Sequence, residues 1–167
     1  MKLTLIGRGL CAALGAAILL SASLAAAPAF ATDLSLTAAN VIPGVGASLE
    51  QGTAGEALTA GKAVYKKAAD KKWYMADCNA AAAEARQATA IATTGSAAGQ
   101  PVIVQKGGPI TIGGTVASGT AYFLSGTAGG IRPAADNTTG DYPQIIGMGI
   151  STTQIQLQFG VPSPTAL

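Results

Sequence analysis

The chain has 167 residues, of which 49% are hydrophobic, 11% charged and 5% aromatic, with 22 Gly, 8 Pro and no His. The length indicates one domain, and the charge is less than half of the roughly 25% carried by an ordinary soluble domain. The lack of histidine excludes a Ser-His-Asp triad, an imidazole base and a His-ligated zinc.

Residues 1–31 differ from the rest. Lys2 and Arg8 precede an apolar run, Leu10 to Leu20, and Ala29-Phe30-Ala31 ends the segment. A basic start, an apolar middle and an A-x-A end are the parts of a secretory signal peptide. Cleavage is expected after Ala31. The run is shorter than the roughly 20 residues that span a bilayer. Without Lys2 and Arg8, eight basic residues face eight acidic ones. A neutral domain has no electrostatic footprint for nucleic acid. Cys11 leaves with the leader, and Cys78 alone makes no internal disulfide.

Residues 32–51 read as an extended arm or edge strand, in which Leu34 and Leu36 alternate with polar neighbours until Pro43-Gly44 breaks the run. The β domain is expected over 52–167. It opens with a hairpin over 52–76. Ala63, Val64 and Tyr65 form one strand, Trp73, Tyr74 and Met75 the other, and Asp70-Lys71-Lys72 lies in the turn. Residues 77–86 (DCNAAAAEAR) are the only candidate helix, short and capped by Asp77.

From residue 87 the chain alternates strand and glycine break. Expected strands are Ala90–Thr93, Pro101–Gln105, Ile110–Ile112, Thr120–Leu124 and Tyr142–Ile150. In Gln154–Phe159, glutamines alternate strictly with Ile155, Leu157 and Phe159, so one face is buried. Short strands at intervals of about 8–12 residues indicate an all-β fold. The expectation is a small single-domain barrel or sandwich of antiparallel strands, with an extended N-terminal arm and at most one short helix.

Chemical motifs do not assemble. Gly55 to Gly61-Lys62 has one residue too many for a phosphate loop, and Ala63 replaces the required hydroxyl. Asp136 and Asp141 flank one turn, where aspartates ordinarily cap their own backbone. Lys66, Lys67, Lys71 and Lys72 crowd the hairpin around Trp73. They read as a docking patch for an acidic surface with Trp73 as its aromatic anchor, or as solvated charges that discourage edge pairing, with Trp73 in the core. No catalytic, cofactor-binding or metal-binding residue is expected.

Four segments carry a resemblance: TDLSLTAANVIPG at 32–44, GTAGEALTAGKAVYKKAADKKWYMAD at 52–77, GQPVIVQKGGPITIG at 99–113 and SGTAYFLSGTAGGIRPAADNTTGDYPQIIGMGIS at 118–151. In this order and spacing the chain resembles the head decoration (capsid cement) proteins of tailed bacteriophages, over residues 32–160. The resemblance implies a compact β domain on the outer surface of the virion capsid. Its partners would be the major capsid protein and further copies of itself, as a homodimer or homotrimer, with no catalysis, cofactor, nucleic acid or small-molecule substrate. The arm would add as a strand to a neighbour, through Asp33, Leu34, Leu36, Val41 and Ile42. The leader departs from that family. Either the leader is retained and structured in the particle, or the alternative holds, a β module exported to the periplasm or medium that binds a surface or self-assembles there.

Overall fold

The computed structural model describes residues 32–167, so the leader and its cleavage site lie outside the described residues. The fold is all-β, a curled antiparallel half-barrel of ten strands. In chain order these are β1 Val41–Pro43, β2 Ser48–Thr53, β3 Ala63–Lys66, β4 Trp73–Met75, β5 Ala90–Ala92, β6 Pro101–Ile112, β7 Ala121–Leu124, β8 Ile131–Pro133, β9 Ile145–Gly149 and β10 Gln154–Leu157. Along the sheet they run β4-β3-β5-β6-β10-β9-β7-β8.

The long strand β6 organises everything. Its first half pairs with β2 on one side and β5 on the other, and its second half with β1 and β10. The Gly107-Gly108 break expected to separate two strands instead lies within this one. Gly108 takes φ +84°, and a Cβ there would lie 2.9 Å from the Gly46 carbonyl oxygen. The buried Gln105 amide then donates to the carbonyls of Gly107, Gly108 and Pro109, so the strand bends without leaving the sheet.

The bend divides the interior into two cores. One, inside the curl of β2 to β6, contains Ala54, Leu58, Val64, Trp73, Ala90, Ala92, Val102 and Val104. The other contains Tyr65, Ile91, Ile110, Ile112, Tyr122, Leu124, Ile131, Ile146 and Ile155 among others. Strands β3 and β5 lie between the two. Because side chains alternate faces, Val64 points into the first core while Ala63 and Tyr65 point into the second, and Ile91 opposes Ala90 and Ala92. This double burial explains why Ala63-Val64-Tyr65 and Ala90-Ile91-Ala92 are unbroken apolar runs. The small curl closes on itself where Ala54 bridges Trp73 and the Gly55 N–H donates to the Trp73 carbonyl at 2.8 Å. The turn after β7 meets the start of β3: Ala63 N–H donates to Gly129 O at 3.0 Å, and Gly129 N–H to Ala76 O at 2.7 Å.

Two local expectations take definite form. The turn or two of helix expected within 77–86 is a set of turns ending in a 3-10 turn, Ala83–Arg86. Tertiary hydrogen bonds take the groups a helix would use. Cys78 N–H donates to Ser125 O, Asp77 N–H to Ala85 O, and the Arg86 guanidinium to the carbonyls of Ala80 and Ala81. The segment 32–51, expected as an arm or edge strand, supplies the strands β1 and β2 on β6, and β2 runs through residue 51. Before β1, Leu34 N–H donates to Ile131 O and Thr37 N–H to Gly113 O, both at 2.8 Å. Gly113 and Gly114 make room for this segment: Cβ atoms there would lie 2.4 Å from Thr37 O and 2.5 Å from Ser35 O.

Candidate interaction surfaces

The open edge of the sheet is formed by β1 and β2. Each pairs with β6 on one side, and among the described residues no strand pairs with the other side of either; the run ends at Ala54, which is bridged to Trp73 of β4. Large apolar side chains follow this edge: Ile42 is 58% exposed, Val45 98% and Leu49 52%. Edges of this kind are normally blunted by lysine, by an inward charge or by a bulge. Here a bulge lies between Ser48 and Leu49, and Pro43 ends β1.

The residues expected to bind a neighbour divide between the two sides of this surface. Val41 is buried in the chain's own core, and Leu34 and Leu36 pack partly buried against it. Asp33 is half-buried beside Gly130, with Oδ1 shielded from solvent. Ile42 alone of the five is displayed. The physical reason is alternation: Val41 and Ile42 point to opposite faces of β1, and one face is core.

The lysine-rich hairpin is the second surface. Trp73 is only 1% exposed and fills the small core, so the expected aromatic anchor is corrected to a core residue. Gly52 lies against its indole; a Cβ there would sit 2.4 Å from Trp73 Nε1. The lysines stand around the mouth of that core. Register places Glu50 opposite Val104 and Lys66 opposite Trp73, so both belong to the face that fills the curl. Glu50 Oε1 accepts from Lys66 Nζ at 2.7 Å, and Oε2 meets Lys106 Nζ at 3.1 Å. The hydrogen bond from Lys66, with help from Lys106, holds the Glu50 carboxyl below the usual carboxylate range. Lys66 Nζ also lies 5.5 Å from the Trp73 ring centroid. At the tip, Asp70 accepts from the Tyr74 hydroxyl at 2.7 Å and from Lys72 N–H at 3.2 Å; the Tyr74 bond leads in lowering its pKa. Lys67 Nζ stands 5.3 Å from the Tyr74 ring centroid. Lys71 is exposed.

A buried charged cluster was not legible in the sequence. Arg132 on β8 and Asp141 are each 2% exposed and form an ion pair. Asp141 also accepts from Thr138 N–H at 2.7 Å, from the Thr138 hydroxyl at 2.8 Å and from the Cys78 thiol at 3.3 Å. Burial works to raise the Asp141 pKa, but the Thr138 bonds, the thiol and Arg132 outweigh it and hold the carboxyl below its ordinary value. The same burial, with Asp141 adjacent, pushes the Cys78 thiol up to about 12. That thiol is protonated and inert at neutral pH. The cluster fastens the 134–142 loop to β8, a structural task. The usable signal was Arg132 itself, an arginine in an apolar stretch whose nearest charged residue in sequence is Asp136.

An open cleft of about 260 Å³ is lined by Asn40, Thr111, Gly113, Gly114, Thr115 and Thr153, and none of these side chains titrates. Among the described residues, no three His, Cys, Asp or Glu side chains are grouped to hold a metal ion. No protein-family model matches the chain, and no curated protein matches it.

Proposed function

We propose that this chain is a structural virion protein that binds the outside of an assembled phage capsid, as a homo-oligomer, and stabilises the junctions between capsomers. The observation that carries this reading is the open β1–β2 edge with Ile42, Val45 and Leu49 displayed along it. A free strand edge offers main-chain hydrogen bonds, and alternate side chains supply specificity. The resemblance of residues 32–160 to capsid cement proteins supplies the partner, and the all-β fold agrees with it. In this reading the chain works by binding alone and transforms no substrate.

The docked N-terminal segment modifies how such an arm would act. Leu34 and Leu36 already rest on the chain's own core, so contact with the capsid falls to Ile42 and the residues that follow. The test is co-sedimentation with purified phage shells. The intact protein is expected to pellet with shells, whereas Ile42→Asp and Leu49→Asp, both at exposed positions, remain in the supernatant while keeping the native circular dichroism spectrum. Equal pelleting of the variants, or no pelleting of the parent chain, rejects the proposal. Recovery of the chain from the periplasm or medium with Thr32 as its first residue would favour the exported alternative.

A further inference from the structure

The apex of the lysine hairpin is strained. Among the described residues Lys71, at φ +60°, is the one non-glycine residue with positive φ; the other eight such positions are all glycine. In this region Cβ crowds the backbone, and glycine or asparagine relieves the conflict. Lysine is therefore a costly choice for the turn alone, and observed strain at an exposed position points towards a role.

The surroundings supply one. Lys67 and Lys72 flank Lys71, and Lys66 and Lys106 stand at the adjoining mouth of the small core. The carboxylates among them are engaged internally. Asp70 holds the Tyr74 hydroxyl and Lys72 N–H, Glu84 accepts from Ala68 N–H at 3.2 Å, and Glu50 bridges Lys66 and Lys106. Five lysines thus share this end of the domain with four acids, Glu50, Glu56, Asp70 and Glu84, and at the tip itself Lys67, Lys71 and Lys72 outnumber Asp70. The turn is also ordered in advance: Lys67 N–H donates to Lys72 O and Lys71 N–H to Lys67 O, both at 2.9 Å. Pre-ordering lowers the entropic cost of binding.

We infer that this tip, centred on Lys71, is a docking site for an acidic protein surface. Charge complementarity selects the occupant. Nucleic acid is the poorer fit, because Trp73 is buried and unavailable for base stacking, and Arg86 and Arg132 are engaged elsewhere, on the Tyr142 ring and on Asp141. The inference stands apart from the capsid reading, since it is defined by the partner's charge.

Poly-L-glutamate titrated into the full chain, followed by amide NMR shifts, tests it. Saturable shifts are expected over residues 66–74 and at Lys106, weakening as salt rises. Lys71→Asn is expected to weaken binding about three-fold or more, because one charge is lost, without lowering the thermal midpoint, while Lys71→Arg keeps the affinity. The triple variant Lys67→Glu, Lys71→Glu, Lys72→Glu is expected to abolish binding. Three results overturn the inference: undiminished binding by Lys71→Asn, a Lys71→Asn thermal midpoint that falls together with binding, or binding of a DNA duplex or phosphatidylglycerol vesicle without binding of poly-L-glutamate.

Discussion

Gly52 and Trp73 form a pair in which the smaller residue makes the larger possible. The indole is the bulkiest side chain of the inner curl, and it is accommodated because residue 52 has no Cβ. Gly52→Ala is therefore expected to destabilise the domain by about 1–3 kcal/mol through overpacking, read as a lower urea midpoint with the m-value unchanged. Asp141 is a residue of the opposite kind, polar and fully enclosed. Asp141→Asn leaves Arg132 buried beside a neutral amide, and breaking such a pair costs about 3–5 kcal/mol. The sign of the pH effect follows from the lowered carboxyl pKa. The stability it supplies is complete above the unfolded carboxylate range, about pH 4, and is lost as pH falls through the folded value. Parent and Asp141→Asn denaturation curves should accordingly converge as the pH is taken below about 4. A gap of constant size down to pH 2 would refute the assignment.

At the scale of elements, what was legible was whatever depends on local pattern. The alternation in Gln154–Phe159 gave a strand with Ile155 and Leu157 buried and Gln156 exposed, and the expected hairpin is formed by β3 and β4. Patterns decided by distant partners were not legible. The alanines at 80–83 favour a helix locally, but Ser125, Ala85 and Arg86 claim the surrounding backbone groups. Ile131-Arg132-Pro133 is too short to announce β8 until β7 is beside it. The interaction surfaces divided in the same way. The lysines were visible as a charge cluster, whereas the burial of Trp73 depends on Gly52, 21 positions earlier. The arm shows the consequence for experiment. Deleting 32–37 removes two half-buried leucines and three backbone hydrogen bonds and spares β1, so the domain should stay folded with a modestly lower thermal midpoint. Deleting 32–43 also removes buried Val41 and the strand paired with Ile110–Ile112. That variant is expected to be several kcal/mol less stable and to show broadened amide resonances along β6. Equal stability of the two truncations would mean that β1 contributes nothing to the sheet.

At the scale of the whole molecule, a binding reading has a thermodynamic form. A chain that recognises the assembled capsid lattice, and not free capsid subunits, stabilises the lattice by mass action, by about 2.7 kcal/mol per site at one hundred times its dissociation constant. Oligomerisation raises this further, because a second contact forms at a high effective concentration once the first is made. The domain suits such a task in two respects. Its two cores share the doubly buried strands β3 and β5, so the scaffold behind the exposed edge is tied together from both faces. Its charges balance over residues 32–167, so long-range repulsion between neighbouring copies is small. The proposal therefore predicts a saturating rise in the temperature at which purified shells release their DNA as the protein is added. The midpoint of that rise should fall at the concentration where co-sedimentation is half complete. Leu49→Asp should shift both curves together to higher protein concentration. Shell stabilisation that appears without binding, or binding that leaves the release temperature fixed, would separate attachment from reinforcement and refute the role in stabilising junctions.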